Sequence, residues 1–217
     1  MTPSHAAPIL ILGTSRFSEE VAEWVDETPG LDMAGFVENL DREKCGTLLL
    51  GRPVHWIDAL ASMPRELSLL CGLGTTRRQR YIEQVAPLAL PFATLVHPSA
   101  HVAPSARVGA GGLIGPGAML ATRVVLADHA LVNKGAIIGH HSHIGAGVTI
   151  GLGARLGGGC VVEDGAYIAM GAILLENVRV GAGALVSAGA LVTHDVPAHT
   201  QVMGMPARVV REGVDGR

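Results

Sequence analysis

The sequence predicts two regions of different fold, a small α/β region followed by a parallel β-helix of six-residue repeats. Three observations indicate this. An aliphatic residue recurs at every sixth position from 102 to 192. The 217 residues include 29 glycines and only 3% aromatic residues, a composition typical of many short strands and tight corners. Before residue 97, apolar runs of strand length alternate with helical periodicity. The expected boundaries are 1–97, 98–198 and, for a C-terminal tail, 199–217.

The α/β region begins with an apolar run, Pro8–Leu12, which suits a buried parallel strand and ends at Gly13. In the next segment Phe17, Val21 and Trp24 fall on one face of a helix. The same interpretation along the chain predicts a small βαβ-type parallel sheet. Its predicted elements are strands at 8–12, 33–37, 67–71 and 92–96 and helices at 16–27 and 75–85.

The second region repeats without a break. A helix would need a period near 3.6 and a flat sheet a period of 2, so a period of six predicts a coil. Three units close one triangular turn, and successive coils lie ~4.8 Å apart. Small residues two places before each aliphatic residue, and glycines just after it, are expected at the corners, where glycine lets the backbone turn. The aliphatic residues are Val102, Val108, Ile114, Leu120, Leu126, Val132, Ile138, Ile144, Ile150, Leu156, Val162, Ile168, Leu174, Val180, Val186 and Val192.

The residue before each aliphatic one points outward, which gives the coil three outer faces. Two of the three faces are too apolar to remain in water, so we expect contact with other subunits in a homotrimer. The alternative is that the N-terminal region covers one of them. Face 1 carries Arg107, Val125, His143, Val161 and Arg179; face 2 carries Leu113, Leu131, Thr149, Tyr167 and Leu185; face 3 carries Met119, Ile137, Arg155, Ile173 and Leu191.

Charge and composition exclude several classes of protein. A formal net charge of −3 provides no positive field for nucleic acid or an anionic membrane. The spacing of Cys45, Cys71 and Cys160 fits neither a disulfide framework nor a zinc site, which favours reduced thiols in the cytoplasm. Residues 1–8 lack the pattern of a signal peptide, and no apolar run is long enough to span a membrane.

Three segments carry a resemblance to a known family: 95–100 (LVHPSA), 133–140 (NKGAIIGH) and 204–208 (GMPAR). With the repeats between them, the chain resembles the bacterial nucleotide-sugar N-acetyltransferases and sialic acid O-acetyltransferases. These enzymes join a small Rossmann-like domain to a left-handed β-helix. The resemblance implies a left-handed coil, acetyl-CoA as co-substrate and a nucleotide sugar as acceptor.

His140 is the expected catalytic base. It lies two places past the inward Ile138 and therefore occupies a corner, which adjoins face 3. An imidazole can take a proton from an incoming amine or hydroxyl at neutral pH, so that the acceptor attacks the thioester directly. The resemblance implies this role for His140. The alternative is that His140, His141 and His143 are solvated turn residues.

The chain departs from its relatives beside this histidine. They usually carry Asp or Glu directly after it, which orients the ring, whereas this chain has His141. Relatives that acetylate nitrogen often have a second histidine where this chain has Thr149, a position that the resemblance places near the coenzyme. His143 is an alternative partner, although it belongs to an outer face.

The resemblance implies further site residues in the β-helix. Gly158 matches a position whose backbone N–H approaches the acetyl carbonyl, which suits an oxyanion; the alternative is a glycine-rich corner. Asn133 matches a position near the sugar, or is a turn residue. The expected coenzyme contacts are Thr149, Gly158, Arg155, Arg179, Gly204, Pro206 and Arg208. Arg208, together with Arg155 or Arg179, is expected to meet the phosphates, and the alternative for each arginine is a solvated surface charge.

The N-terminal region retains only Gly13 of a dinucleotide fingerprint, so NAD is not expected. In the relatives this loop helps to hold a nucleotide. The turn at 72–76 opens a helix whose free N–H groups suit a phosphate, helped by Arg77 or Arg78. The alternative is a docking domain with no ligand. The residues expected near the nucleotide sugar are Ser15, Arg16, Glu38, Asn39 and Gly74.

The sequence therefore favours an acetyl-CoA-dependent N-acetyltransferase that acts on a nucleotide-linked amino-deoxy sugar for surface glycan synthesis. O-acetylation of a sugar, including sialic acid, is the nearest alternative, and a non-catalytic scaffold is a third. A metal-dependent β-helix enzyme of the carbonic anhydrase type needs three histidines at one long and one short spacing. His194 and His199 have the short spacing without the long one, so no metal is expected.

Overall fold

The computed structural model describes residues 8–217, so residues 1–7 of the segment expected to lack a signal peptide lie outside the described part. The first region is a five-stranded sheet with the order β3-β4-β2-β1-β5, parallel except for the pairing of β3 with β4. Helix α1 packs on one side of the sheet and α2 on the other. The elements are β1 Pro8–Leu12, α1 Arg16–Glu27, β2 Asp32–Glu38, β3 Leu48–Leu49, β4 Arg52–Trp56, β5 Ser68–Cys71 and α2 Arg78–Val85, with 3-10 helices at Arg42–Lys44, Ile57–Ser62 and Ala86–Leu88.

The predicted last strand of this sheet, 92–96, is wrong in part. Phe92 forms a single parallel bridge to Leu69 of β5. Leu95–Val96 instead pairs with Leu113–Ile114 and opens the β-helix. The apolar run is therefore divided between two sheets, and the coil begins one unit earlier than the repeat predicts.

The β-helix has the predicted register. Each predicted aliphatic residue is the second residue of a two-residue strand, and parallel pairing joins strands eighteen residues apart, as in Val125↔His143. Three parallel sheets result, one for each face. The strands are β6 Leu95–Val96, β7 His101–Val102, β8 Arg107–Val108, β9 Leu113–Ile114, β10 Met119–Leu120, β11 Val125–Leu126, β12 Leu131–Val132, β13 Ile137–Ile138, β14 His143–Ile144, β15 Thr149–Ile150, β16 Arg155–Leu156, β17 Val161–Val162, β18 Tyr167–Ile168, β19 Ile173–Leu174, β20 Arg179–Val180, β21 Leu185–Val186 and β22 Leu191–Val192.

Glycines serve two separate purposes at the corners, whereas the sequence predicted only that they let the backbone turn. From 111 to 189 every sixth residue has a left-handed φ, including His141 at 59°. The glycines directly after the aliphatic residues are different. Gly139 has an ordinary φ, but a Cβ there would lie 2.5 Å from the backbone carbon of Gly157 in the next coil. One glycine column makes the turn, and the other permits close stacking of coils.

The N-terminal region covers face 2, which was the alternative explanation for one of the apolar faces. Leu113 and Leu131 are buried in one cluster with Val21, Trp24 and Phe36. Face 3 is uncovered in the single chain, where Met119, Ile137 and Ile173 are exposed.

A hairpin of β23 Thr200–Gly204 and β24 Ala207–Glu212 follows the last coil, with β23 added in parallel to β21. The tail then runs along the β-helix and reaches the N-terminal region. Gly216 N donates to Gly183 O at 2.7 Å, and Thr76 Oγ1 donates to Arg217 O at 2.9 Å. Within residues 8–217, none of the helices has both the length and the apolar character that crossing a membrane requires.

Candidate active site

The His140 side chain lies exposed at the corner between faces 3 and 1, just after Gly139 ends β13. The same corner position in the following coils is occupied by Gly158, Glu176 and His194, each eighteen residues further along the chain. A molecule lying along this corner would therefore meet these positions in turn, ~4.8 Å apart.

His140 and His141 are hydrogen-bonded to each other. Their Nδ1 atoms are 3.2 Å apart, and their rings meet edge to face at a centroid distance of 5.3 Å. The left-handed φ of His141 turns its side chain back along the corner, while its N–H donates to Thr122 O at 2.9 Å. One of the two Nδ1 atoms must carry the proton in such a bond. When His140 donates it, the His140 Nε2 is free to accept a proton.

Gly158 lies directly against the His140 ring in the next coil. A Cβ on Gly158 would be 2.5 Å from His140 Cε1 and 2.7 Å from Nε2, so only glycine leaves the ring in place. Among the described residues, the Gly158 N–H has no hydrogen-bond acceptor. At four equivalent positions a side-chain oxygen accepts from the same N–H: Ala110 by Asp128, Lys134 by Asn133, Ala146 by Asp164 and Ala182 by Glu163, at 2.7 to 3.0 Å. The Gly158 N–H is thus available to a ligand beside the imidazole.

The GMPAR segment forms the turn of the C-terminal hairpin, where Gly204 pairs with Ala207. Pro206 lies in this turn, and Arg208 follows it on β24, exposed, with Nη1 donating to Ala207 O at 2.8 Å. Arg208 also lines a groove of about 300 Å³ with His194 and Asp195. The segment therefore lies at the far end of the corner that begins at His140.

The two other arginines predicted to contact the coenzyme differ in whether an acidic side chain neutralises them. Arg155 is exposed on face 3 between Ile137 and Ile173 and has no ion pair within the described residues. Arg179 is paired with Glu163, with Nη2 and Oε1 2.6 Å apart, and this hydrogen bond lowers the pKa of Glu163. Of the two, Arg155 therefore carries the uncompensated charge.

Thr149 is not available to the coenzyme, which corrects the sequence prediction. It is only 1% exposed beneath the N-terminal region, and its Oγ1 accepts from Arg78 Nη1 at 2.6 Å. Arg78 is likewise no phosphate ligand, because its buried guanidinium also donates to the carbonyls of His129, Gly147 and Val148. A buried arginine satisfied by carbonyls leaves no signal in local sequence.

Asn133 does not join His140 in the single chain. It lies at the corner between faces 2 and 3, is 7% exposed, and its Oδ1 accepts from Lys134 N at 2.7 Å. Lys134 in turn forms an ion pair with Glu20 of α1. The observed role of Asn133 is that of a turn residue.

The predicted N-terminal residues come together at the carboxyl edge of the five-stranded sheet. The strand order changes direction between β1 and β5, and open α/β sheets bind ligands at such a crevice. Ser15 caps α1 through its side chain, Arg16 is exposed at the first turn, and Gly74 lies beneath the ring of Phe17.

Glu38 and Asn39 lie at the end of β2 on the same edge. Burial opposes ionisation of Glu38, but hydrogen bonds from Thr14 and from the N–H groups of Leu40, Asn39 and Asp41 outweigh it, so its pKa is lowered. Asn39 Nδ2 donates to Gln84 at 2.8 Å. The Glu38 carboxylate therefore holds the loop after β2 by accepting hydrogen bonds from its N–H groups. Arg16 forms no ion pair with any described residue.

Residues 8–217 contain no group of three or more His, Cys, Asp or Glu side chains arranged to hold a metal ion. The predicted residues thus form two groups, the corner of His140, His141 and Gly158 and the crevice of the N-terminal sheet.

Neither a protein-family model nor a curated protein matches the chain, but solved structures do. One is a His-to-Asn mutant of perosamine N-acetyltransferase from Caulobacter crescentus with CoA and GDP-perosamine, at 28% identity and a TM-score of 0.87, covering 94% of this chain and 97% of that one. Another is WeeI from Acinetobacter baumannii AYE, at 27% identity and 0.85, covering 93% and 99%. A third is the acetyltransferase domain of PglB from Neisseria gonorrhoeae FA1090 with acetyl coenzyme A, at 28% identity and 0.85, covering 94% and 99%.

The fold and these likenesses identify the chain as an acetyltransferase. The likeness extends over nearly the whole of both chains, so this protein is a structural relative of perosamine N-acetyltransferase, of WeeI and of the PglB acetyltransferase domain.

Proposed function

We propose that the protein transfers an acetyl group from acetyl-CoA to the amino group of a nucleotide-linked amino sugar. The observation that carries this proposal is the imidazole of His140 stacked on Gly158, whose N–H is unpaired, in a fold shared with N-acetyltransferases. We also propose that the β-helix is left-handed and that the N-terminal region is a Rossmann-like domain that holds the nucleotide. It also includes a cytoplasmic location and a role in surface glycan synthesis.

His140 Nε2 takes a proton from the acceptor amine as the amine nitrogen bonds to the thioester carbonyl carbon. The Gly158 N–H donates to the carbonyl oxygen as this oxygen gains negative charge. When the carbon–sulfur bond breaks, the electron pair leaves with sulfur, and the His140 imidazolium returns its proton to form the thiol of CoA. His141 holds the ring through Nδ1, in place of the carboxylate that is usual in the relatives.

The corner column supplies a path for the coenzyme. From the thioester at Gly158, the pantetheine arm would pass Glu176 and His194 to the hairpin turn at Gly204 and Pro206, where Arg208 meets a phosphate. Arg155 lies on face 3 in the coil of Gly158, at the thioester end of this path and not at its phosphate end.

The acceptor nucleotide would occupy the crevice between β1 and β5, with Arg16 and the loop at Gly74 nearest its phosphates. Asn133 and His140 lie at different corners of one chain, so a site that includes both sides of face 3 needs a second subunit. The exposed Met119, Ile137 and Ile173 support a homotrimer packed through this face.

The test begins with a screen of UDP-, GDP- and dTDP-linked amino sugars with acetyl-CoA, in which the release of free thiol reports turnover. The His140→Asn variant is then compared with the unmodified protein on the sugar that is acetylated. We expect kcat to fall by roughly 10²–10⁴-fold, the usual contribution of a general base. His55→Asn, in β4 of the N-terminal sheet, is the control and should retain activity. Unchanged turnover in His140→Asn would overturn the assignment, and mass spectrometry of the product distinguishes N- from O-acetylation.

A further inference from the structure

One buried hydroxyl lies directly beneath the candidate catalytic corner. Ser142 follows His140 by two residues, and its side chain is 0% exposed in the interior of the coil. It belongs to the column of small residues that stand two places before each inward aliphatic residue. Alanine, valine, glycine and cysteine fill the rest of this column, so Ser142 is its only alcohol. Burying a hydroxyl is unfavourable unless hydrogen bonds satisfy it, and the bonds of this hydroxyl therefore indicate its role.

The Ser142 hydroxyl bridges the turn that contains Gly158 in the next coil. Its Oγ accepts from Cys160 N at 3.1 Å and donates to Gly157 O at 3.3 Å. In the turn at 151–154, by contrast, the equivalent N–H donates directly to the carbonyl oxygen three residues earlier, at 3.1 Å. The serine hydroxyl thus takes the place of a backbone turn bond, and it joins the turn that carries the imidazole to the turn that carries the free N–H.

The peptide between Gly157 and Gly158 is held by this contact. Its N–H is the unpaired donor beside His140, and within residues 8–217 its carbonyl oxygen accepts from the Ser142 hydroxyl alone. The following peptide is held at both ends, by backbone bonds of 2.8 and 2.9 Å to the coils before and after it. Loss of the hydroxyl would therefore release the one peptide whose N–H is available to a ligand.

A hydrogen bond at the carbonyl end of a peptide also affects its N–H end. Accepting the bond polarises the peptide, so that the N–H becomes a stronger donor. A donor that is fixed before the reaction stabilises a developing oxyanion without having to reorient during it. The Ser142 hydroxyl supplies both the fixed orientation and the polarisation, from a position inside the coil that no substrate reaches.

We propose that Ser142 is a positioning residue for acetyl transfer, whose hydroxyl aims the Gly158 N–H at the carbonyl oxygen of the thioester. The inference rests on the proposed function, to which it adds a residue that touches neither substrate. The N–H contributes most when the oxygen carries negative charge, so the hydroxyl should affect kcat and leave substrate affinity unchanged.

The test is Ser142→Ala, with Ser142→Thr as the variant that keeps the hydroxyl. Alanine is the commonest residue of the same column and valine also occurs in it, so both variants should fold. We expect kcat to fall roughly tenfold in Ser142→Ala, with the KM values of acetyl-CoA and the nucleotide sugar within about twofold of the unmodified enzyme. Ser142→Thr should recover most of the lost kcat.

Cys160→Ala is the matched control, because Cys160 Sγ makes the equivalent bond to Leu175 O at 3.2 Å one coil further on. It removes a buried donor while the Cys160 N–H and the Gly157 carbonyl keep their partner, so kcat should stay within about twofold. Unchanged kcat in Ser142→Ala, or an equal fall of kcat in Ser142→Ala and Cys160→Ala, would overturn the proposal. So would a Ser142→Thr variant no faster than Ser142→Ala.

Crystal structures of the unmodified and Ser142→Ala proteins test the positioning without turnover. In the variant, Cys160 N should bond directly to Gly157 O, as in the turn at 151–154, and the Gly157–Gly158 peptide should rotate. An unchanged peptide would contradict the role of Ser142 whatever the substrate. If the unmodified protein acetylated none of the sugars, the proposed function would fail instead, and a rotated peptide would still show that the hydroxyl sets the direction of the Gly158 N–H.

Discussion

At the scale of single residues, the site depends on how closely two coils approach at one corner. The His140 ring occupies the space that a side chain at residue 158 would fill, and the Gly158 N–H has no acceptor within the described chain. His141 is the hydrogen-bond partner of this ring and binds it through Nδ1.

Gly158→Ala should therefore damage catalysis more than stability. The added Cβ would lie 2.5 Å from His140 Cε1, so the exposed ring must move, while the backbone conformation suits alanine. We expect kcat to fall by about 10²-fold, the usual effect of misplacing a catalytic group by an ångström, with little change in Tm.

Gly165→Ala is the matched control, because its φ of +67° strains alanine although nothing lies within 4 Å of the new Cβ. It should lower the free energy of unfolding by about 1 kcal/mol and leave kcat unchanged. Thermal unfolding and thiol-release assays on both variants check that Gly158→Ala lowers kcat but not stability and that Gly165→Ala does the reverse. Equal kcat values in the two variants would refute the close-packing argument.

At the scale of elements, one buried arginine joins α2 to the β-helix. Arg78 is 1% exposed, and its donors meet Thr149 Oγ1 and the carbonyls of His129, Gly147 and Val148. Burial lowers its pKa to about 10, with Cys71 and Tyr167 acting in the opposite direction. The charge is held by neutral acceptors alone, so the contact depends on the fixed geometry of the planar guanidinium.

Arg78→Met should weaken this junction strongly, because it leaves several buried acceptors without a donor. We expect the free energy of unfolding to fall by roughly 3 kcal/mol. Both tryptophans, Trp24 and Trp56, lie in the N-terminal region, so their fluorescence reports its unfolding separately from far-UV circular dichroism. The fluorescence transition should shift to lower denaturant concentration.

Arg80→Met, two residues along the same helix and exposed, provides the comparison and should unfold like the unmodified protein. Coincident curves for Arg78→Met and Arg80→Met would show that the buried guanidinium does not hold the two regions together.

At the scale of the whole molecule, each of the three faces of the coil has a different environment. Face 2 is buried under the N-terminal sheet, face 1 bears two grooves, and face 3 exposes Met119, Ile137 and Ile173 around Arg155. His140 lies exposed at the edge of this apolar face. A neighbouring subunit on face 3 would enclose it.

Ile137→Asp places a charge at the centre of face 3 and should dissociate the assembly, because a buried unpaired carboxylate costs several kcal/mol. Sedimentation velocity should show a lone subunit, and turnover should fall with the loss of the enclosed site. Leu48→Asp, on an exposed leucine of the N-terminal region, should leave the assembly intact. A single-chain species for the unmodified protein would contradict the trimer.

Most of the coil was predictable because its signal is repeated in every unit. The register of all sixteen predicted strands, the outward faces and the corner position of His140 follow from the period of the side chains. Helix α1 matches its predicted range, 16–27, because one amphipathic stripe and a serine cap define it locally. The segment 92–96 was assigned to the wrong sheet in part, since an apolar run does not show which neighbour it pairs with.

The amino-acid sequence alone thus determined that the chain coils with period six and presents an imidazole at a corner, because both follow from the spacing of inward aliphatic residues. Only the tertiary structure decided that Thr149 is covered and that Arg78 is a buried docking residue. These outcomes depend on contacts between residues more than fifty positions apart. Local periodicity carries no information about which of several similar faces or arginines such a contact selects.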